Sequence, residues 1–552
     1  MPQKRAAIFF ATFFTVLVLL IVRLGYLQLF TFKDLSKAAA SQRISDREVD
    51  ISRGDIEDRN GIPLTNRTMK TSVVLMPLYL RGKQGVIDEI CTTLNQDPVK
   101  LTEDINTKSE PIIIEAYEDS SRKLLSQNLA GISVVHSLER YDENTVAKHI
   151  LGYVSPIDKK GLSGIEKKYD NILKSNSPDE LRVVTDARDN LIKGIGYRVI
   201  KGGNREEDLN VKLTLDYHIQ KTIEDVMNKE TITGAVIVED VVTGDILGMA
   251  SKPDFYQLRV GDYLESSKKE LFNRAVGAYN LGSVFKIIDV ACSFEYGINT
   301  YDDFKCTGSI MVGDRQYKCS SYESGGHGVL NLDGAFAKSC NSYFIKLGID
   351  LGPKRLLDMA GKFGFGKATG VNEQGIDESA GVLPQFNRTL TDGDTANISI
   401  GQGNLMATPL QVVDMVATVA NGGIKNRVNI VDSIVDSNGE VAKKIRMNKG
   451  ERIISKSTSD KIKKLMEGVV TDGTGKRAGI NQYGGAGGKT GTAETGEVQN
   501  GEKVVQAWFA GYFPVGDPKY SMVVFVENGK SGAEAAAPVF GEIASGIMSK
   551  GY

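Results

Sequence analysis

The chain has 552 residues, 41% of them apolar and 25% charged, with a formal net charge of −2. That length excludes a single ordinary core and implies two to four domains, while the composition is that of a folded globular protein. A charge so near zero gives no reason to expect nucleic acid as a partner.

Lys4 and Arg5 precede an apolar run from Ala6 to Val22, which resumes after Arg23 through Leu24, Tyr26, Leu27, Leu29 and Phe30. The run is long enough to cross a hydrocarbon core of about 30 Å. The positive flank predicts a cytoplasmic N-terminus and an extracytoplasmic remainder. A cleaved signal peptide is the alternative. Ala38-Ala39-Ala40 lies too far beyond the apolar core for usual cleavage, so residues 1–31 are expected to be an uncleaved tip and anchor.

Residues 32–203 carry charged and short β-like segments, such as Thr71 to Leu78 and Pro111 to Glu115. Arg53 to Gly61 reads as a strand entering a turn, because Asn60-Gly61 is a strong turn dipeptide. Gly161 to Asp170 reads as a turn opening a helix. None of these segments carries chemistry by itself. Gly202-Gly203 and the charged run Arg205 to Asp208 read as a linker.

Beyond it, Thr214-Leu-Asp216 leads a helical pattern through Ile219, Ile223 and Val226. Gly234 to Glu239 and Ile246 to Ala250 flank Thr243-Gly244 as a hairpin. Helical patterns follow, including Thr408 to Ala420; Val504 to Tyr512 and Tyr520 to Glu527 are strand-like again. Strands at both ends with helices between them predict an α+β domain over 204–552.

Three motifs stand in order within that domain: Ser283-Val-Phe-Lys286, Ser339-Cys-Asn341 and Lys489-Thr-Gly491-Thr492. Each alone is weak. As an ordered set they match the signature of penicillin-reactive serine enzymes. A serine hydroxyl needs a nearby base, and Lys286 serves only if burial or another cation, such as Lys489, lowers its pKa. Gly282 permits close approach of backbone to substrate, and the Ser283 N–H is placed as an oxyanion donor. Ser339 and Asn341 offer a proton relay and substrate alignment. Lys489 to Thr492 reads as an exposed strand edge, suited to adding an extended peptide and holding its terminal carboxylate.

On these residues the chain resembles a class B penicillin-binding protein, a membrane-anchored peptidoglycan D,D-transpeptidase. Arg53-Gly through Asp58-Arg-Asn-Gly61, Gly161 to Asp170, Ile400-Gly-Gln-Gly403, Thr408-Pro-Leu-Gln411, Gly488 to Glu494 and Trp508 to Gly511 extend the likeness over nearly the whole length. Leu281 departs from it, standing where the family usually has proline.

The resemblance implies an antiparallel sheet with a helical subdomain, preceded by a transmembrane helix and an elongated β-rich pedestal. It implies that Ser283 is acylated by D-Ala-D-Ala stem peptides and that a neighbouring stem amine then forms the crosslink. Lys286 would activate Ser283, Ser339 would shuttle the proton, Asn341 would hold the acyl amide, and the N–H groups of Ser283 and Thr492 would form the oxyanion hole. Lys489, Thr490, Gly491 and Thr492 would bind substrate. β-Lactams would acylate the same serine, and no cofactor is needed for the chemistry. No glycosyltransferase domain fits before the pedestal and no further module is expected after Ala535 to Lys550, so a membrane glycan polymerase and its wall-synthesis complex are the implied partners. A carboxypeptidase or β-lactamase on the same fold, or a non-catalytic β-lactam sensor, are the alternatives.

Cys306, Cys319 and Cys340 cluster in sequence with His327, and Cys340 lies inside the Ser-x-Asn motif. Together the four make a complete tetrahedral Zn²⁺ set, with a disulfide or free thiols as alternatives. Cys91 and Cys292 read as lone core residues.

Overall fold

The computed structural model describes residues 2–29, 44–50, 53–108, 111–127, 129–174, 179–184, 197–200, 209–385, 390–499 and 502–551. The triple alanine at 38–40 and the expected linker through 202–208 lie outside the described residues. The chain forms two compact units, each assembled from segments that are separate in sequence. One unit comprises Met1–Arg53, Met69–Leu138 and Ser175–Arg205; the other comprises Gly54–Thr68, Glu139–Lys174 and Glu206–Tyr552.

In the first unit, Pro2–Leu29 is one helix, and its Ile8–Tyr26 stretch is apolar and unburied. At 1.5 Å per residue these 19 residues span about 28 Å, enough to cross a membrane. A sheet orders Ile112–Glu115, Thr68–Leu75 and Ile132–Glu139 side by side. Helices the β-like pattern did not single out, Gln84–Leu94, Pro98–Thr107 and Glu118–Ser126, cover it. Ile87, Ile90, Cys91 and Leu94 recur at helical spacing and pack with Val73, Leu75 and Ile114. A second sheet orders Ile44–Asp50, Asp179–Val184 and Tyr197–Ile200, all antiparallel.

The second unit is built on a five-stranded antiparallel sheet. Its strands are β1 (Gly234–Asp240), β2 (Ile246–Lys252), β3 (Gly487–Gln499), β4 (Glu502–Phe513) and β5 (Tyr520–Val526), in the order β2-β1-β5-β4-β3. Residues at every position of β5 are buried, because both faces of the sheet are covered. Tyr217–Lys229, capped by Asp216, and Ala537–Lys550 lie over one face; Pro409–Ala420, mostly apolar and wholly buried, packs against β1, β4 and β5. Its start is a capping box in which Thr408 and Gln411 bond each other's backbone. Helices Lys286–Tyr296, Asn341–Leu351, Pro353–Lys362 and Lys456–Thr471 form the helical part.

The 53–61 and 161–170 motifs fold largely with this unit. Ile56–Glu57 pairs in parallel with Leu209–Leu213, and the Asp58 carboxylate accepts the N–H groups of Asn60, Ile62 and Tyr217. Glu166, fully buried, accepts from Arg140 Nε and Tyr141 Oη at 2.7 Å each. Arg140 also donates to the Gly54 carbonyl. These segments are structural braces, which explains charged residues with no chemistry of their own.

Candidate active site

Ser283 lies in a 3-10 turn, Gly282–Phe285, that runs straight into the helix Lys286–Tyr296. The serine is half-buried, while Lys286 is fully enclosed. Sterics hold this turn. Gly282 has φ +56°, and a Cβ there would stand 2.5 Å from the Thr492 carbonyl oxygen. Its N–H donates to the Gly401 carbonyl at 2.9 Å, and a Cβ on Gly401 would meet the Gly282 oxygen at 2.0 Å. Glycine at both positions lets β3 and the 400–403 segment press against the Ser283 turn. Trp508 Nε1 donates to the Asn280 carbonyl, and Asn280 Nδ2 donates to the carbonyls of Gly403 and Leu405. Leu281 is buried beneath the turn, so packing supplies rigidity where the family has proline.

Ser339 sits between the helices Leu332–Ala337 and Asn341–Leu351 with φ +56°, a left-handed conformation rare for a residue with a Cβ. Such strain persists where surrounding structure imposes it. Here it presents both polar groups of Ser339 to the lysines. Lys286 Nζ donates to the Ser339 carbonyl (2.8 Å), Ser339 Oγ (3.3 Å) and Asn341 Oδ1 (2.8 Å). Lys489 Nζ donates to Ser339 Oγ (2.9 Å) and the Thr490 carbonyl (3.1 Å).

Both amines are wholly buried. Burial takes Lys286 down to about 8. Lys489 is held well below the ordinary lysine range by burial first and by the Lys286 charge second. The sequence suggests Lys489 as the field that lowers Lys286; burial is the leading cause at both. Each amine also faces a ring, Lys286 over Phe344 at 5.3 Å and Lys489 over Phe336 at 5.6 Å.

Lys489 to Thr492 lie on β3, the outermost strand of the sheet, paired on one side to β4. β3 is thus an edge strand among the described residues, but the expected exposed edge is corrected in part: Lys489, Thr490 and Gly491 are buried and only Thr492 is exposed. Thr490 Oγ1 and Thr474 Oγ1 are 2.6 Å apart, and Thr492 Oγ1 accepts from the Gly532 N–H. Ser283, Lys286, Ser339, Asn341 and Lys489 to Thr492 all belong to the second unit, and one hydrogen-bonded cluster links Lys286, Ser339, Asn341 and Lys489. Sequence reasoning did not single out Asn280, Thr474, Gly532 or the two phenylalanines. Only Thr474, within Gly473-Thr-Gly475, carried a readable signal.

Beside this cluster, two ribbons gather the cysteines. Phe304–Cys306 pairs with Gly328–Leu330, and Ser309–Val312 pairs with Arg315–Lys318, which delivers Cys319. None of the five cysteines forms a disulfide. The ligand atoms of Cys306, Cys319, His327 and Cys340 lie within 4.8 Å of one another. Cys319 Sγ is 3.9 Å from Cys340 Sγ, and His327 Nδ1 is 3.4 Å from Cys319 Sγ and 3.7 Å from Cys306 Sγ. Tetrahedral Zn²⁺ with bonds of about 2.3 Å to sulfur and 2.0–2.1 Å to nitrogen requires S···S of about 3.8 Å and N···S of about 3.6 Å. The Asn341 N–H donates to Cys319 Sγ at 3.3 Å, and Cys340 caps the helix that Asn341 begins. Hydrogen bonding from Cys340 leads the causes that hold the Cys319 thiol well below its usual range.

A half-buried serine on the turn that leads into one of two buried lysines sharing a second serine, next to the edge strand of an antiparallel sheet, is the arrangement of a serine acyltransferase of the penicillin-interacting fold. Residues 234–545 match the penicillin-binding protein transpeptidase domain, and residues 48–204 match the penicillin-binding protein dimerisation domain. The chain belongs to the class B penicillin-binding proteins. It is 31% identical to stage V sporulation protein D of Bacillus subtilis, over 98% of this chain and 85% of that protein. It is 28% identical to the peptidoglycan D,D-transpeptidase MrdA of Acinetobacter baumannii, over 97% of this chain and 87% of the relative. A solved peptidoglycan synthase complex that couples polymerization and crosslinking contains a chain of the same fold, with TM-score 0.71 and 24% identity over 98% of both chains.

Proposed function

We propose that the chain is a serine-type peptidoglycan D,D-transpeptidase of bacterial cell-wall synthesis, with Ser283 as nucleophile. Ser283 Oγ attacks the carbonyl of the penultimate D-Ala of a stem peptide laid along β3, releases the last D-Ala and leaves an acyl-enzyme. A neighbouring stem amine then takes the acyl group. Lys286 accepts the Ser283 proton, Ser339 relays it, Asn341 aligns the acyl amide, and Lys489 with Thr490 and Thr492 receives the carboxylate. The N–H groups of Ser283 and Thr492 stabilise the developing oxyanion. β-Lactams enter the same reaction and stop at the acyl stage.

One observation carries this reading: two fully buried lysines converge on Ser339 Oγ, at 3.3 and 2.9 Å, and one of them, Lys286, begins the helix that the Ser283 turn leads into. Labelling with a fluorescent penicillin tests it. Wild type should label and Ser283→Ala should not; labelling that survives the substitution would overturn the nucleophile. Rapid turnover of penicillin would point to the hydrolase alternative.

The apolar helix is proposed as a single-pass anchor with the N-terminus in the cytoplasm, consistent with Lys4 and Arg5. A membrane glycan polymerase is the proposed partner, since the acceptor and donor stems hang from nascent glycan. Cys306, Cys319, His327 and Cys340 are proposed to hold a structural Zn²⁺. Support comes from three of their separations, 3.4, 3.7 and 3.9 Å, which lie close to tetrahedral values, within a set no wider than 4.8 Å. The metal would take no part in acyl transfer and would brace Ser339 and Asn341 through Cys340. Metal analysis of protein purified under reducing conditions decides the matter: about one zinc per chain is expected, and none would end the proposal.

A further inference from the structure

Asp289 is a charged residue beside the site that the acyl-transfer steps leave unused. It lies in the first turn of Lys286–Tyr296, three residues after Lys286 and hence on the same side of the helix. It is 0% exposed, and neither carboxyl oxygen has a hydrogen-bond partner among the described residues. Other enclosed carboxyls are satisfied differently. Glu166 has Arg140 and Tyr141, Glu224 has Gln220 and the Ala147 N–H, and Asp245 has Arg446. Among the described buried carboxyls, Asp289 alone has both oxygens unpartnered. A lone acid in a dry core costs stability that an apolar side chain would not. Its position suggests what the cost serves.

We propose that Asp289 is a positioning residue for acylation, acting through Lys286 as a counter-charge to the ammonium that forms there. The inference rests on the reading of Lys286 as the base. As the Ser283 Oγ–carbon bond forms, the carbonyl π pair moves to oxygen and the Oγ proton passes to the Lys286 lone pair. That creates a cation at an enclosed position already shared with Lys489. The proton leaves again, over Ser339, to the departing nitrogen when the carbon–nitrogen bond breaks. Between those events the cation needs an opposite charge, and at low dielectric a carboxyl one turn away is felt strongly. The electrostatics pull in two directions: burial, the leading cause, holds the Asp289 carboxyl well above its usual range and favours its neutral form, whereas a charge on Lys286 draws it back down and Asp289 in turn favours the charged lysine, so the two groups ionise together.

Asp289→Asn and Asp289→Leu in the full chain test this, with fluorescent-penicillin acylation resolved into the dissociation constant K and the acylation constant k2, and Tm measured alongside. In both variants k2 should fall about tenfold or more, with K within about twofold. Tm of Asp289→Leu should equal or exceed that of wild type, because leucine fills similar space without orphaned oxygens. An unchanged k2 in either folded variant, or K and k2 shifting together, would overturn the proposal. Failure of both variants to fold would assign Asp289 to core stability and overturn it too. Lys286→Met is run in parallel. If it still acylates, the base reading itself falls; if it is dead while Asp289→Asn is normal, only the role of Asp289 falls.

Discussion

Replacing Ser339 separates its hydroxyl from the backbone that presents it. In Ser339→Ala, Lys286 keeps the Ser339 carbonyl and Asn341 Oδ1, and Lys489 keeps the Thr490 carbonyl. One shared acceptor is lost, at a cost of about 1–2 kcal/mol in stability. The reaction loses its proton relay, and acylation by fluorescent penicillin should slow by about 10²–10⁴-fold. The backbone adds a second effect. At φ +56° a residue with a Cβ bears strain of about 1–2 kcal/mol. Ser339→Gly removes hydroxyl and strain together, offset by about 0.5–1 kcal/mol of extra chain entropy in the unfolded state. Both variants should therefore be equally slow, with the glycine variant more stable than the alanine variant by up to about 1 kcal/mol. Acylation time courses and denaturant unfolding measure the two quantities. A wild-type acylation rate in either variant refutes the relay. An alanine variant more stable than the glycine variant refutes the strain argument.

Acylation should also depend on pH. A base works in its neutral form, so the rate is present above the Lys286 pKa, about 8, and is lost as pH falls through it; a profile flat between about pH 6 and 9 would contradict that assignment. Gly401→Ala should drive a Cβ into the Gly282 carbonyl, displace Ser283 and slow acylation by about 10²-fold or more. A normal rate in that variant would show that the turn does not need this contact. Arg140→Ala should leave the buried Glu166 carboxylate without its Arg140 counter-charge, though Tyr141 still donates to it, and destabilise the second unit by about 3–5 kcal/mol in urea unfolding. A loss below about 1 kcal/mol would mean that the segment does not depend on the pair.

Much of the site was legible because acyl transfer at serine needs few residue types in a fixed local pattern. The three-residue spacing puts Ser283 and Lys286 on one side of a helix start, and Gly491 between two threonines marks a strand that a peptide can approach. The central sheet was equally readable, since β1, β2, β4 and β5 are β-rich runs bounded by turn residues. The helices over Thr68–Leu75 were harder to see. Their apolar faces are narrow, such as Leu101 and Ile105 on Pro98–Thr107, and lie within charged sequence. The discontinuous second unit was invisible for another reason: no local pattern says that Ile56–Glu57 will pair with Leu209–Leu213.

What the sequence determined by itself is the inventory: two serines, two lysines, an amide and four metal-type ligands, in residue types whose reactivity does not depend on context to be recognised. Only the tertiary structure decided how those groups behave. Burial, not a neighbouring cation, leads in lowering Lys286. A left-handed backbone at Ser339, held between two helices, aims one hydroxyl at two amines. Cys319 and Cys340 come within 3.9 Å only because separate segments converge. And an aspartate that reads as an ordinary first-turn acid is enclosed without a partner beside the base. Desolvation and long-range contact are properties of the packed chain, so no reading of neighbours along it could have supplied them.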